Sequence, residues 1–450
     1  MKNLNQTAKR VEMYVRRRVT RWGRMIETTT RDPRDPRGVR HLYVDCIVSL
    51  LAGVIAHCKA LRDVEQLSGE VGLGCHGEGI SDGALTHLLK RSGEHDLDAL
   101  LVRSVKDMAR RGELRYPGLG QNWVAIDGKY SILDHDCGGL AQKFEGDSRV
   151  YWRMGVLRAV LCSAPARPAL GQWPMEPVES GETDPEKLKH TGEITNLPPF
   201  VRWLRGQYGD LASNFTLDAG LWSKEVFLSM DALGLGVLCG LKKNKPDLFA
   251  EVERVLRIER QRRSHQAETE WEPSRTGQIR RRLWRTTKLD GWNGWTHLRQ
   301  VFVVEQTTRD HDGKDAIELR YFVTNATTGM TSPRQLLRLV RQHWGIENDC
   351  NWTFDQQFGE DAGAWCTQNK AFLVLGVVRM IAYNLLQHLR KSHVLVQHQF
   401  SAPTPRPWRD LFELIYRCLL RLGSSFSQLL RPVARGEPHG GGQLRAAPAD

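Results

Sequence analysis

Phe215-Thr216-Leu217-Asp218-Ala219-Gly220 is a short β-type run that ends on an acidic turn. A helix-like segment follows, with Trp222, Val226, Phe227 and Leu233 as its expected inner face. A second strand, Val237 to Leu241, then runs into Lys242-Lys243-Asn244. Strand, helix, strand is the grammar of a mixed α/β sheet. Upstream, Trp123 to Ile126 has the same character and is expected to stop at Asp127-Gly128. Ends of strands are where open α/β sheets place active sites. The glycine after the acid lets another chain or a ligand come close. A turn with no chemistry is the plainer reading of each acid taken alone.

Working outward, residues 250–325 change character. A charged helical stretch, Glu251 to Arg263, precedes strands expected at about 279–287, 299–305 and 317–325, a β-rich insertion. Residues 333–390 return to long helices. Residues 41–115 also read as helical, with Val44, Ile47, Val48, Leu51, Val54 and Ile55 at helical spacing, and Ser81 or Asp82 able to cap a helix carrying Leu85, Leu88 and Leu89. This small helical domain is expected to bind DNA. Residues 1–40 read as a basic arm, with Arg16, Arg17, Arg18, Arg21 and Arg24 close together and Arg-Asp-Pro repeats at 31–36 that break a helix. The arm either contacts DNA or is a solvated helix face followed by a linker. Residues 391–450 are expected to hold a C-terminal helix and a disordered tail.

A third segment is sharper. Arg341-Gln342-His343-Trp344-Gly345-Ile346-Glu347-Asn348 runs on to Trp352, Asp355 and Phe358. As a helix it places His343, Glu347, Asn351 and Asp355 in one polar stripe, with Trp344, Asn348 and Trp352 beside it. Two aspartates from strands and a glutamate from a helix suit a two-metal site. Their hard oxygen ligands select Mg²⁺ or Mn²⁺, and two such ions can activate a hydroxyl and stabilise the leaving oxygen at a phosphodiester.

These residues resemble the DDE transposases of bacterial insertion sequences, in the insertion-sequence-4 group and its H-repeat-associated-like subgroup. Ala125-Ile126-Asp127-Gly128-Lys129 looks like the first-aspartate block, and Leu217-Asp218-Ala219-Gly220 with Leu241-Lys242-Lys243-Asn244 like the second. The third is the Arg341 to Asn348 segment with Trp352, Asp355, Phe358, Glu360-Asp361 and, later, Ala382-Tyr383-Asn384-Leu385-Leu386. The resemblance covers roughly 120–390. It implies an RNase H-like catalytic core interrupted by the β-rich insertion and preceded by a helical N-terminal domain. It also implies Asp127, Asp218 and Glu347 as catalytic metal ligands for two Mg²⁺ or Mn²⁺ ions, DNA as partner, and a dimer or larger assembly on that DNA. The wider group has Tyr, Arg and Lys at seven before, four before and seven after the Glu, where this chain has Val340, His343 and Phe354.

Further residues are candidates for holding DNA. Lys242 and Lys243 follow a strand near the site and suit a phosphate contact or a solvated turn. Arg280 and Arg282, with Arg281 and Arg285, would track a backbone or guard a sheet edge. Lys129 would steady a phosphate or pair with an acid. Arg341, His343, Trp344 and Asn348 flank Glu347, and Trp344, Trp352 and Trp365 would stack on a base or pack in the core. Asp355, Glu360 and Asp361 are reserve carboxylates.

Composition agrees with this reading. The 450 residues carry 64 Lys and Arg against 52 Asp and Glu, a net +12, and such an excess suits a polyanionic partner. An apolar content of 40% excludes wholesale disorder. The nine cysteines are scattered with no CxxC pair, which excludes a zinc ribbon or thioredoxin-like motif and fits a reducing compartment. The polar opening lacks a signal-peptide core, and the apolar run Ile47 to Ala56 is too short to span a bilayer. The expectation is a cytoplasmic bacterial protein at the nucleoid, away from membranes. Two rivals stand beside a transposase: a nuclease of the same fold without strand transfer, and a transposase-derived DNA-binding protein without catalysis.

Overall fold

The computed structural model describes residues 2–73, 78–114, 120–137, 139–145, 150–175, 185–274, 276–361, 365–366, 368, 370–391 and 407–423. In chain order the helices are α1 (Lys2–Thr29), α2 (Tyr43–Ile55), α3 (Leu61–Glu70), α4 (Asp82–Arg91), α5 (Asp98–Arg110), α6 (Pro185–Tyr208), α7 (Lys224–Ala232), α8 (Pro246–Arg262), α9 (Pro333–His343), α10 (Trp352–Gln356), α11 (Ala371–Lys391) and α12 (Trp408–Leu422). The strands are β1 (Val124–Leu133), β2 (Ala141–Glu145), β3 (Val150–Val160), β4 (Ala169–Pro174), β5 (Asn214–Leu217), β6 (Gly236–Leu241), β7 (Ala267–Glu268), β8 (Glu272–Ser274), β9 (Gly277–Thr286), β10 (Gln300–Arg309) and β11 (Asp315–Thr324).

The described residues up to Arg110 form helices α1 to α5 with their connections. Val11, Val15, Val19, Trp22 and Ile26 recur every three or four residues on α1 and are all buried. That apolar face packs on α2, α5 and α12. The stretch expected as a basic arm is therefore a docked helix, because its charged pattern hides an apolar stripe. Of the arginines named there, Arg18 pairs with Glu113 and Asp107, and Arg21 with Asp107; Arg16, Arg17 and Arg24 face solvent. Ser81 caps α4 by accepting from the Ala84 amide at 3.2 Å, and Leu85, Leu88 and Leu89 lie beneath it. The expected disordered tail, over the last twenty residues, lies outside the described residues.

The strands form one mixed sheet, in the order β2-β3-β1-β5-β6-β11-β10-β9-β7, with β4 beside β3 and β8 beside β9. Strand β1 is antiparallel to β3 and parallel to β5, which is parallel to β6. The insertion continues this sheet, because β11 pairs antiparallel with β6. Its three long strands fall within a few residues of their expected places. Capped by Ser223, α7 buries Val226, Phe227 and Met230; Leu233, expected inside, is 52% exposed because the helix ends before it.

Strand β1 does not stop at Asp127-Gly128. It runs to Leu133, since β3 offers partners as far as Trp152. The glycine serves a different contact: a Cβ at Gly128 would lie 2.2 Å from Oε1 of Glu193, a buried residue of α6. Among the described residues one helix, α11, is long and apolar enough to cross a membrane, but almost all of it is buried within the protein. All eight described cysteines are free.

Candidate active site

Asp127 and Asp218 stand side by side. Ile126 and Leu217 are register partners on parallel β1 and β5, and each acid is the next residue. The loop after β5 is tied down by its neighbour after β6: Asn244 Nδ2 donates to the Ala219 carbonyl at 2.9 Å, and Lys245 Nζ does so at 3.3 Å while lying 4.3 Å over the Trp222 ring.

Glu347 comes from a turn that packs against β1 and β3. The expected single helix over 341–358 is broken: α9 ends at His343, a π-helical turn occupies Ile346–Asn351, and α10 follows. Such turns insert one residue into a helix and recur at functional sites. This turn is pinned by Asp349, which is paired with Arg167 and with Lys391 at 2.9 Å. Burial acts to raise the Asp349 carboxyl, but Lys391 and Arg167 hold it below the ordinary range. Glu347, two residues earlier, is exposed.

Asp218 and Glu347 line a single cavity of about 610 Å³. Its floor includes Phe249, Tyr321 and Trp344, and Lys242, Lys243 and Arg320 stand around it. Lys242 Nζ is 3.8 Å from Asp218 Oδ2 and largely exposed, and Lys243 is exposed too. The Arg320 guanidinium sits 4.2 Å over the Trp344 ring. Among the described residues no three His, Cys, Asp or Glu side chains form a ready-made metal cluster. The donor chemistry does fit hard divalent cations, since all three carboxylates offer only oxygen.

Three members of the expected polar stripe, His343, Asn351 and Asp355, meet the sheet. Thr216 Oγ1 and His343 Nδ1 share a hydrogen bond of 2.9 Å, Asn351 donates to Asp127 at 3.0 Å, and Lys129 on β1 donates to Asp355 at 2.8 Å. Most of the residues expected to hold DNA have partners within the protein. Lys129 also donates to Asp361 at 2.8 Å, so it takes the second of its two expected roles, pairing with acids. His343 is buried, and burial pushes its pKa down to about 4 despite the opposing pull of Asp218. A neutral imidazole bonded to Thr216 offers no cation to DNA. Arg280 lies 4.6 Å from the Trp271 ring and 3.5 Å from Glu268, and Arg282 pairs with Glu268 at 2.8 Å. The strand they occupy is covered by β7 and β8 and carries its own counter-charges. Arg341 pairs with Glu272 at 2.6 Å, and Asn348 Nδ2 donates to the Trp344 carbonyl at 3.0 Å while remaining exposed. Trp352 is exposed and Trp365 half-buried. Val340 and Phe354 are buried in the core, so the places of the wider group's Tyr, Arg and Lys offer no polar grip here.

Sequence reasoning missed Arg158. It lies directly across from Asp127 on antiparallel β3 and is fully buried, with Nη2 donating to both oxygens of Glu360 at 3.0 and 3.2 Å. The signal was present: one arginine inside the apolar run Val156-Leu157-Arg158-Ala159-Val160 implies a buried, paired charge.

His343 has a pH consequence. Its folded pKa lies below the ordinary value near 6.5, so an unfolded chain takes up a proton that the folded chain refuses. Stability should fall as pH drops from about 6.5 through about 4, by up to about 3 kcal/mol. Denaturant unfolding of the native chain and His343→Gln at pH 7 and pH 4.5 measures this. The Gln variant should lose less on acidification; equal losses would remove His343 as the cause.

Residues 189–385 match the family model described as the transposase DDE domain. The span contains Asp218 and Glu347 and begins after Asp127. The match supports a DDE transposase, and with it DNA as the partner. No curated protein matches the chain.

Proposed function

We propose that this protein is a transposase that cuts DNA at the ends of an insertion sequence and joins the freed 3′ hydroxyl to target DNA, with Asp127, Asp218 and Glu347 holding two divalent cations. One observation carries it: Asp218 and Glu347, from a strand end and a π-helical turn 129 residues apart in sequence, line one cavity, with Asp127 beside Asp218 in register. The family match over 189–385 supports the same reading. The order β3-β1-β5-β6, with β3 antiparallel to three parallel strands, is the arrangement expected of an RNase H-like core.

Bound Mg²⁺ or Mn²⁺ would supply Lewis-acid stabilisation of the attacking and leaving oxygens. The protein's own groups do the rest. Lys242 and Lys243, exposed at the cavity mouth, neutralise the phosphates that flank the scissile bond. The Asn244 and Lys245 contacts to Ala219 fix the Asp218 loop, so that the carboxylate is placed before substrate arrives. Asn348 and Trp344 stand beside Glu347 as contacts for the DNA end. Assembly as a dimer or larger species on two DNA ends, and work at the bacterial nucleoid, complete the proposal.

A joining assay separates the rivals. A labelled, pre-cut element end is incubated with Mg²⁺ and plasmid target. Joined product is the expected result. Cleavage of uncut ends without joining would replace the transposase by a nuclease, and binding with neither reaction would leave a non-catalytic DNA-binding protein.

A further inference from the structure

Asp127 sits mid-strand, where a carboxylate can swing about two torsions unless something holds it. Asn351, buried in the π-helical turn, donates from Nδ2 to Asp127 Oδ2 at 3.0 Å. An asparagine amide is ambiguous about which end is the donor. Here the far side settles it, because Arg158 Nη1 donates to Asn351 Oδ1 at 3.0 Å, and a guanidinium can only donate. The NH₂ group is thereby forced toward Asp127.

Arg158 itself is opposite Asp127 in the β1–β3 register. Glu360 takes its Nη2, and the guanidinium lies 4.0 Å over the Phe354 ring. The result is a chain, Glu360–Arg158–Asn351–Asp127. Its arginine pairs with Glu360 at the far end, and Asp127 receives the hydrogen bond from Asn351. A carboxylate oriented by such an outer hydrogen bond is what a cation ligand requires.

We infer that Asn351 is a positioning residue for Asp127, set by Arg158 and Glu360, and that this buried chain sharpens the protein's affinity for its divalent cation. The inference rests on the proposed role of Asp127. Asn351, Arg158 and Glu360 are all buried, and through them the turn carrying Glu347 is coupled to the strand carrying Asp127.

The test uses the full chain with Asn351→Leu and Asn351→Ala, which remove the donor, and Asn351→Gln, which keeps one. Two readouts are taken: Mn²⁺ binding by calorimetry, and the Mg²⁺ concentration for half-maximal cleavage of an end-bearing duplex. Loss of such an outer partner typically weakens metal binding by about 10–100-fold. Both midpoints should rise by that factor in Leu and Ala and recover in part in Gln, with metal-free DNA affinity unchanged. Unaltered midpoints in Leu and Ala, alongside an inactive Asp127→Asn, would overturn the positioning role and leave the site reading intact. If Asp127→Asn itself binds Mn²⁺ and cuts like the native chain, the site reading fails and this inference falls with it. Should Leu fold poorly by thermal melting, Ala decides.

Discussion

Glu347→Gln should bind an end-bearing duplex as the native chain does and fail to cut it. The side chain is exposed on a π-helical turn that Asp349 anchors through Arg167 and Lys391, so its replacement leaves the fold alone. Gln keeps the size and one oxygen but loses the charge that a hard cation selects. Losing one group that stabilises developing charge costs roughly 10²–10³-fold in rate, and a missing metal ligand should cost at least as much. Mg²⁺-dependent cleavage and an electrophoretic binding assay on the same labelled duplex read both quantities. A variant that cuts normally would remove Glu347 from the site. The reserve acids are poor substitutes for it: Asp355 and Asp361 share the Lys129 ammonium, and Glu360 is buried against Arg158. Asp355→Asn should accordingly cut within a few-fold of native, a contrast with Glu347→Gln that the same assay records.

What the sequence made legible were elements whose pattern is local. The strand that begins before Asp127, the strand ending just before Asp218, the helix after Asp218, the insertion strands and the cap at Ser81 each follow from a few adjacent residues. Partners distant in sequence were not legible. Nothing near Lys129 announces that its neighbours are Asp355 and Asp361, more than 220 residues on. The basic strand β9 reads as a DNA track until Glu268, Glu272 and Glu305 are seen to answer it. The docking of α1 was hidden because five arginines outweigh a single apolar stripe in composition. The π-helical turn escaped because a four-residue repeat of polar groups fits an ordinary helix equally well. That one inserted residue leaves Glu347 exposed while Asn351 turns in to meet Asp127.

The costliest single change should be Glu360→Leu, and the reason is a count of charges. Three ionic groups are buried together: Glu360, Arg158 and, on α11, Arg379. The nitrogens of Arg379 donate no hydrogen bond to a described residue, and its charge feels the attraction of Glu360 and the repulsion of Arg158. Burial alone already lowers the Arg379 pKa. Removing Glu360 therefore strands two guanidinium groups in the core, whereas Arg158→Leu leaves Glu360 with Arg379 nearby. Breaking a buried pair typically costs about 3–5 kcal/mol, because an uncompensated charge remains. Glu360→Leu should reach or exceed that range, and Arg158→Leu should fall short of it. The double variant Arg158→Leu, Glu360→Leu should be more stable than Glu360→Leu alone, since it removes one of the two stranded cations along with their anion. Denaturant midpoints of the four proteins decide the order. If Arg158→Leu proves the most damaging, Arg379 does not share Glu360, and the ion chain behind Asp127 is a simple pair.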